Sequence, residues 1–385
     1  MSQLSTCFTQ NQFCVLVEYL CSMKEILPVK TQFAGFPALM TLADRVHADD
    51  DLAPIIAAQA YPKYVEKVLP FAGKGRDISD FEQFLNDAQA IGQQNLLLLT
   101  GDKLKNHHKG KDSNDRTRYL ESVNAVMAAK QHGDFCVGVA FNPFKYAEAE
   151  RDAQYLKLHK KLKAGADYII TQLGYDLSAL KEAKAFLTQH GYSQKLLACV
   201  MPLTLGRANF MVKHQVAGIV ITPHMLKILG EEKESGLTDR VYLRCALQIL
   251  ICKQLGFAGV PLSACPKPEE QLLLESYIEE YRHLGLDELE LLWNALWQVK
   301  TGKEFYPALT YYSRPVSSMQ ILKYQHLNLM HDAFFESKVA KGVGHFIFQS
   351  RFWNGSLAAQ ALLKTEFVSK HGVVGCESCG QCRLG

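Results

Sequence analysis

The sequence lacks several features that define specialised classes of protein. No apolar run is long enough to cross a bilayer, so we predict no membrane span. The N-terminus has no basic patch followed by an apolar stretch and a small-residue cleavage site, so we expect no signal peptide. The net charge of +3 is too small to argue for a nucleic acid or a membrane as partner. What remains, at 48% hydrophobic and 21% charged residues, is the composition of an ordinary soluble globular protein.

Cysteines are present, but their pattern argues against a disulfide framework. The chain has eleven, an odd number, and most lie inside apolar runs, as Cys136, Cys199, Cys245 and Cys252 do. Buried thiols of this kind are typical of a reducing compartment. We therefore expect a cytoplasmic protein.

Strand-like runs alternate with helix-like segments between residues 13 and 265, which predicts a parallel sheet with helices outside it. A (β/α)8 TIM barrel needs eight strands, and nine candidates are present, of which 217–221 is the least secure. An open doubly wound sheet is the alternative, although no early strand is followed by a Gly-x-Gly-x-x-Gly turn. The candidate strands are 13–17, 38–42, 65–71, 96–99, 136–141, 168–173, 196–201, 217–221 and 257–262.

Two features of the helices guide the division into domains. Ser79 and Glu82 are spaced as a capping box for the helix that Gly92 ends. After about residue 285 the strand-helix rhythm stops, and the segments that follow are mainly helical. At 385 residues the chain is long enough for a large domain and a smaller one. We predict a barrel over 1–285 and a smaller helical module over 286–385.

Acidic and amide side chains stand at the ends of buried strands. Glu18 ends the first run, and Asp102 follows the apolar run 96–99 through Thr100 and Gly101. Loops at the carboxyl ends of parallel strands meet where ligands bind, so both acids are candidates for chemistry. Gln172 offers a donor and an acceptor to a planar heterocycle. The alternatives are that Asp102 only caps the next element and that Gln172 is a satisfied core amide.

Basic residues form two further groups. The polar segment 103–118 carries eight Lys, Arg and His residues and can hold phosphates or polycarboxylates over the barrel mouth. Its alternative is a solvated surface loop. Lys160 and Lys161 lie late in the helix predicted over 147–164, most simply on its solvated face.

The C-terminal tail holds Cys376, Cys379 and Cys382, spaced Cys-x2-Cys-x2-Cys among glycines. Three thiols this close can converge on one metal ion but cannot all pair with each other. Zinc needs a fourth ligand, whereas the usual Cys-Pro that follows an iron–sulfur motif is missing. The spacing therefore predicts zinc or an iron–sulfur cluster without choosing between them. A tail with spare thiols is the alternative.

Together these residues resemble one family. Glu18, the triplet Thr100-Gly101-Asp102 and above all the segment 163–172, which reads KAGADYIITQ, are similar to methylenetetrahydrofolate reductase. The resemblance covers roughly residues 10 to 265. The cysteine-rich tail is similar to a C-terminal module attached to some bacterial members. The resemblance implies a (β/α)8 barrel that binds FAD at its mouth and reduces methylenetetrahydrofolate to methyltetrahydrofolate.

The resemblance also implies roles for particular residues. Glu18 would protonate a folate nitrogen, Asp102 would lie near the flavin and the pterin, and Gln172 would bind the pterin. Thr100, Asn142, Lys160 and Lys161 fall where the family contacts the cofactor. NAD(P)H or another electron donor would be a partner, and a homo-oligomer or a partner subunit is possible.

The chain departs from the family in two places. Many members have Arg where this chain has Thr100, and the last barrel strand commonly leads to an Arg that helps to hold folate. Here the segment 260–267 contains no Arg, and Lys267 is the candidate substitute. The altered strand keeps a folate-dependent methyltransferase or demethylase open as an alternative function. The cysteine tail keeps open a metal-bearing subunit that transfers electrons or docks a partner.

Overall fold

The structure is a computed structural model that describes residues 2–20, 29–44, 53–62, 65–101, 119–145, 148–214, 216 and 218–299. Asp102 and the polar segment that follows it lie outside the described residues. The three tail cysteines lie outside them as well.

Eight parallel strands close into a barrel within the described part of the chain. The closure is made by β1, which pairs in parallel with β3 on one side and with β9 on the other. A short β2 pairs antiparallel with the start of β3 and is not a barrel strand. The strands are β1 Cys14–Leu20, β2 Gln32–Phe33, β3 Phe36–Ala43, β4 Lys67–Ala72, β5 Asn95–Leu99, β6 Cys136–Phe141, β7 Tyr168–Thr171, β8 Lys195–Leu197 and β9 Gly259–Leu262.

The closed barrel confirms the predicted fold class over the open sheet. Residues 218–221 belong to no strand, so the ninth candidate was the extra one, as expected. A barrel strand is enclosed by side chains on both faces, which is why these runs are almost continuously apolar. Leu96 and Leu98, for example, are fully buried.

Helices lie outside the strands and follow them in alternation. Among the described residues they are α1 Gln3–Thr9, α2 Pro54–Gln59, α3 Ile78–Ala90, α4 Ser122–His132, α5 Glu148–Lys163, α6 Leu177–Gln189, α7 Leu205–Lys213, α8 Pro223–Glu234, α9 Arg240–Gln254, α10 Pro268–Tyr281 and α11 Leu286–Leu296. None of the helices in these ranges combines the length and apolarity that a bilayer crossing requires.

The start of α3 corrects one detail of the sequence analysis. The capping box is formed by Asp77 and Asp80, not by Ser79 and Glu82. The Asp77 carboxylate accepts the backbone N–H groups of Ser79 and Asp80 at 3.0 and 3.2 Å. Asp77 lies two residues upstream of Ser79 and accepts two backbone donors, so the helix begins earlier than the Ser79 motif suggests.

The amino-terminal end of the barrel is covered by α1. Leu4 and Phe8 pack against Cys14 and Tyr168 in a buried cluster at this end. The Glu66 carboxylate fixes α1 by accepting its first backbone N–H groups, that of Leu4 at 3.0 Å. Helix α1 therefore closes this end of the barrel core.

Helix α11, which the sequence analysis placed in the C-terminal module, packs on α9. Arg244 of α9 pairs with Glu232 through two contacts of 2.7 and 2.5 Å, and its guanidinium lies 4.2 Å from the Trp297 ring. This buried group fastens the end of the described chain to the barrel wall. The domain boundary near residue 285 stays a prediction, because residues 300–385 lie outside the described ones.

Candidate functional site

A cavity of about 500 Å³ lies at the carboxyl ends of the barrel strands. Five of the predicted site residues line it, although they come from distant parts of the sequence. They are Glu18, Thr100, Asn142, Lys161 and Gln172. Lys160 is not among the lining residues, although its neighbour Lys161 is.

Glu18 lies on β1, opposite Thr41 of β3 in the strand register, and its carboxyl faces the cavity. Burial raises the pKa of this carboxyl above its usual value. Hydrogen bonds from the Ser263 side chain and the Ala264 backbone oppose that rise without cancelling it. Glu18 therefore keeps its proton to a higher pH than an exposed glutamate, as a general acid must.

Gln172 and Asn142 place their side-chain amides close to Gly218, at the neighbouring ends of β7 and β6. The Gln172 Oε1 accepts the Leu173 backbone N–H at 2.9 Å, and Asn142 Nδ2 donates to the Gly218 carbonyl at 3.1 Å. Gly218 has a φ of +76°, and a Cβ there would lie 2.7 Å from Asn142 Nδ2. A glycine is needed at this position because the loop passes so close to both amides.

A buried ion pair that the sequence analysis missed stands beside Thr100. Glu121, at the start of α4, is paired with Lys157 of α5. The Thr100 hydroxyl lies 3.5 Å from both the Glu121 carboxylate and the Lys157 ammonium. Burial would raise the pKa of Glu121, but Lys157 and Lys161, helped by a hydrogen bond from Ser122, lower it to about 2.

Lys157 and Lys161 are buried on the inner face of α5, not on its solvated face. Lys161 donates to the Ala140 carbonyl of β6 at 2.7 Å. The side chains are long enough to carry their ammonium groups from the helix to the strand ends. The lysine-rich run in the sequence indicated basic residues in this region, but only the packing of α5 shows which lysines face inward.

A second ion pair missed by the sequence analysis supports the rim on the β3 side. Asp44 directly follows β3, and its carboxylate binds the Arg76 guanidinium through two contacts of 2.6 and 3.1 Å. It also accepts the Ala72 backbone N–H at 2.9 Å. The sequence contained a signal for Asp44, because this acid follows an apolar strand-like run as Asp102 does. Arg76 neutralises this acid, so the pair holds the ends of β3 and β4 together.

The predicted metal site falls on Cys376, Cys379 and Cys382, outside the described residues. Within the described ranges, no cluster of His, Cys, Asp and Glu is arranged to hold a metal ion. Cys199 lines the cavity and could be considered as a metal ligand, but burial raises the pKa of its thiol to about 12. That thiol remains protonated at neutral pH and is not a ready metal ligand.

The cavity has the chemistry needed to hold a flavin ring. Its volume lies in the range of small-ligand sites, and its apolar walls carry amide and hydroxyl groups at the edge. A planar heterocycle with polar edges requires this combination of flat apolar contact and directed hydrogen bonds. Lys157 and Lys161 add positive charge suited to phosphate groups, partly offset by Glu121. The apolar lining includes Pro70, Leu97, Leu99, Ile170 and Pro261.

The family model and the curated relatives that match this chain are all described as methylenetetrahydrofolate reductase. The family model described as methylenetetrahydrofolate reductase matches residues 37–261. The chain is 28% identical over 162 residues to methylenetetrahydrofolate reductase 2 of Saccharomyces cerevisiae, covering 41% of this chain and 26% of that protein. It is 25% identical over 181 residues to methylenetetrahydrofolate reductase 1 of Schizosaccharomyces pombe, covering 46% and 29% respectively. The matches thus span less than a third of these relatives.

The fold is also similar to a solved structure, that of an uncharacterized protein from Clostridium thermocellum that binds two copies of 5-methyl-5,6,7,8-tetrahydrofolic acid. The superposition has a TM-score of 0.51 and covers 73% of this chain and 99% of that one. At 13% sequence identity the likeness is one of fold.

Proposed function

The chain belongs to the methylenetetrahydrofolate reductase family, and we propose from this premise that it reduces 5,10-methylenetetrahydrofolate to 5-methyltetrahydrofolate with FAD. The observation that carries the proposal is that Glu18 and Gln172 line one cavity from β1 and from the end of β7. An acid and an amide facing a common space suit the protonation and the orientation of a pterin.

Glu18 is the proposed general acid. Because burial raises its pKa, the carboxyl stays protonated to a higher pH and can donate its proton to a folate nitrogen. That proton opens the five-membered ring of the substrate and leaves an electrophilic iminium carbon. The folate ring nitrogen leaves as a neutral amine instead of an anion, which is the reason an acid is needed.

Gln172 is the proposed orienting residue for the pterin, and Asn142 is the proposed orienting residue for the flavin. Their amides are held by the Leu173 N–H and the Gly218 carbonyl, so they present a fixed edge to a flat ring. Fixed donors and acceptors lower the entropic cost of bringing the reacting atoms together. The apolar walls exclude water from the same space and so protect the iminium from hydrolysis.

FAD, when bound, would supply the hydride, and NAD(P)H or another donor would reduce it. Thr100, Asn142 and Lys161 are the described residues proposed to hold this cofactor, with Lys160 nearby on α5. Asp102, which follows β5 in the sequence, is proposed to stabilise the cationic substrate. Cys376, Cys379 and Cys382 are proposed to bind zinc or an iron–sulfur cluster.

The test begins with an absorption spectrum and a metal analysis of the purified full-length protein. Flavin bands, followed by bleaching with NAD(P)H or dithionite and reoxidation by methylenetetrahydrofolate, are the expected result. A colourless protein that takes up no added FAD would refute the reductase. Methyl transfer to tetrahydrofolate by such a protein would establish the methyltransferase alternative in its place.

A further inference from the structure

A second cavity, which we call the basal cavity, lies at the opposite end of the barrel from Glu18. Its volume is about 510 Å³, close to that of the cavity at the carboxyl ends of the strands. Lys195 and Leu196 at the start of β8 line it, together with Ala258 directly before β9. Chemistry in TIM barrels is carried out at the carboxyl ends of the strands, so the basal cavity suits the binding of a ligand and not its conversion.

The basal cavity is lined by three lysines, Lys184 of α6, Lys195 of β8 and Lys253 of α9, and by no Asp or Glu from the described part of the chain. Among the described residues, none of the three ammonium groups belongs to an ion pair. The cavity at the other end differs, because Lys157 there is paired with Glu121. The basal cavity therefore carries positive charge that no described ion pair compensates.

Two of these lysines are held in place by uncharged acceptors. Lys184 Nζ donates to the Gly256 carbonyl at 2.6 Å, in the turn between α9 and β9. Lys195 Nζ donates to Asn11 Oδ1 at 2.7 Å, in the turn between α1 and β1. An ammonium group has three N–H donors, and each of these bonds uses one of them. The bonds fix the direction of both side chains while leaving their charge and further donors for a ligand.

The lysines of the basal cavity also act on each other. Burial lowers the pKa of Lys184, and the charge of Lys195 lowers it further. Lys253 adds a third positive charge from an exposed position. Like charges brought together in this way repel, and the repulsion is relieved when an anion binds beside them. The cluster therefore favours a ligand with two or more negative charges.

Other side chains of the basal cavity suit a flat ring. Gln194 Oε1 is enclosed by protein and has no hydrogen-bond partner among the described residues. Its side chain lines both the basal cavity and a neighbouring cavity of about 710 Å³. A buried amide oxygen needs a donor, and the N–H edge of a heterocycle supplies one. Tyr192 and Phe257 add aromatic surface, and a hydrogen bond between the Tyr192 hydroxyl and His159 Nδ1 fixes the Tyr192 ring.

We propose that the basal cavity is a second binding site, for a small ligand in which a nitrogen heterocycle is joined to two or more negative charges. Lys184, Lys195 and Lys253 hold the negative charges, and Gln194 accepts a hydrogen bond from the ring. Nucleotides with two or three phosphates have this chemistry, and so do folates that carry several glutamates. The site does not depend on the proposed reductase activity, because it lies at the other end of the barrel.

The test is calorimetric titration of the full-length protein, with and without saturating FAD, using three probes. ADP and 5-methyltetrahydrofolate triglutamate distinguish a nucleotide from a folate as the ligand. Inorganic pyrophosphate measures the contribution of charge alone. We expect saturable binding of one of the two heterocyclic probes, and weaker binding of pyrophosphate because it has no ring to contact Gln194.

Substitutions of the lining residues locate the binding. Lys195→Met and Lys184→Met should each weaken binding of the preferred probe about tenfold, because each removes one charge-assisted hydrogen bond. Lys253→Gln, at an exposed position, should also weaken it and covers the case in which the other two variants fail to fold. Gln194→Leu should weaken binding of the heterocyclic probe and leave that of pyrophosphate unchanged. Lys163→Met, exposed on α5, is the matched control.

The outcomes separate this proposal from the proposed function. Binding that weakens in Lys195→Met and not in Lys161→Met would support the basal site. Binding that is lost in Lys161→Met and unchanged in Lys195→Met would assign the probe to the Glu18 cavity and overturn the proposal. Failure of all three probes to bind at millimolar concentration would overturn it as well. If a probe binds through Lys195 while the protein takes up no FAD, the basal site stands and the reductase fails.

Discussion

Two glutamates near the same end of the barrel have opposite protonation chemistry. Glu18 has uncharged partners, Ser263 and Ala264, and burial raises its pKa. Glu121 has Lys157 and Lys161 beside it, and its pKa falls to about 2 despite complete burial. Glu18 thus keeps a proton that it can donate, whereas Glu121 stays charged. Pairs of acids whose surroundings separate their pKa values in this way mark the division of roles in many active sites.

The largest expected effect comes from removing the proton donor. Glu18→Gln keeps the size and much of the hydrogen bonding of the side chain but cannot supply an acid. It should slow the folate half-reaction by about 10²- to 10⁴-fold and leave reduction of the flavin by the donor nearly unchanged. Stopped-flow spectroscopy of the two half-reactions measures both. Survival of both half-reactions would remove Glu18 from its proposed role.

The next effect tests the other glutamate through its partner. Lys157→Met leaves Glu121 buried beside a single remaining ammonium group, and should lower the free energy of unfolding by about 3–5 kcal/mol. Urea denaturation measures the change, and Lys163→Met, exposed on the same helix, should have almost no effect. The double variant Glu121→Gln with Lys157→Met should recover much of the loss, because no unpaired charge remains. A small loss in the single variant would show that the pair is solvated.

The pH dependence of stability should distinguish the two acids by sign. Glu121 has a pKa of about 2 in the folded protein against 4.5 for a free side chain, so its stabilisation is complete above pH 4.5. That contribution, about 3 kcal/mol, is lost as the pH falls from 4.5 toward 2, and Glu121→Gln should flatten this part of the curve.

Glu18 acts in the opposite direction because its folded-state pKa is raised. Its stabilisation is present below pH 4.5, the ordinary pKa of the side chain, and is lost as the pH rises through the folded-state value. Glu18→Gln removes this loss. The melting temperature of the variant minus that of wild type should therefore be higher at neutral pH than at pH 4. A variant that is less stable at neutral pH would contradict the burial argument.

The smallest effect tests the strained turn beside Glu18, in which Ala264 has a φ of +52°. Ala264→Gly should stabilise the protein by about 0.5–1 kcal/mol, because glycine adopts a positive φ without steric cost. The Ala264 N–H is retained, so the Glu18 titration should stay as in wild type. Calorimetry measures the stability, and a titration of the Glu18 carboxyl followed by difference infrared spectroscopy measures its midpoint. A destabilised variant would show that the Ala264 methyl contributes more than the strain costs.

The sequence predicted those parts of the site that depend on strand order. Glu18 lies near the carboxyl end of β1 and Gln172 directly follows β7, and in a closed parallel barrel all strand ends meet at one rim. The helix-face assignment was less successful for α5. Lys160 and Lys161 were interpreted most simply as part of the solvated face of the helix, whereas the packed helix directs Lys161 and Lys157 inward.

Glu121, Lys157 and the Ser263–Ala264 turn were not assigned to the site from sequence. A charge buried by tertiary packing looks, in sequence, like any surface charge, and nothing near Glu121 in the chain identifies Lys157 as its partner. The left-handed conformation at Ala264 had no signal either, since alanine is not a residue that predicts it.

The sequence by itself determined the strand-helix alternation, the eight-strand count once 217–221 is set aside, and the residues that stand at strand ends. These follow from hydrophobic periodicity and the fixed polarity of a parallel sheet, which are local properties. Only the tertiary structure decided which glutamate keeps its proton and which stays charged. A pKa depends on the dielectric surroundings and on charges brought close by the fold, and residues far apart in sequence supply both.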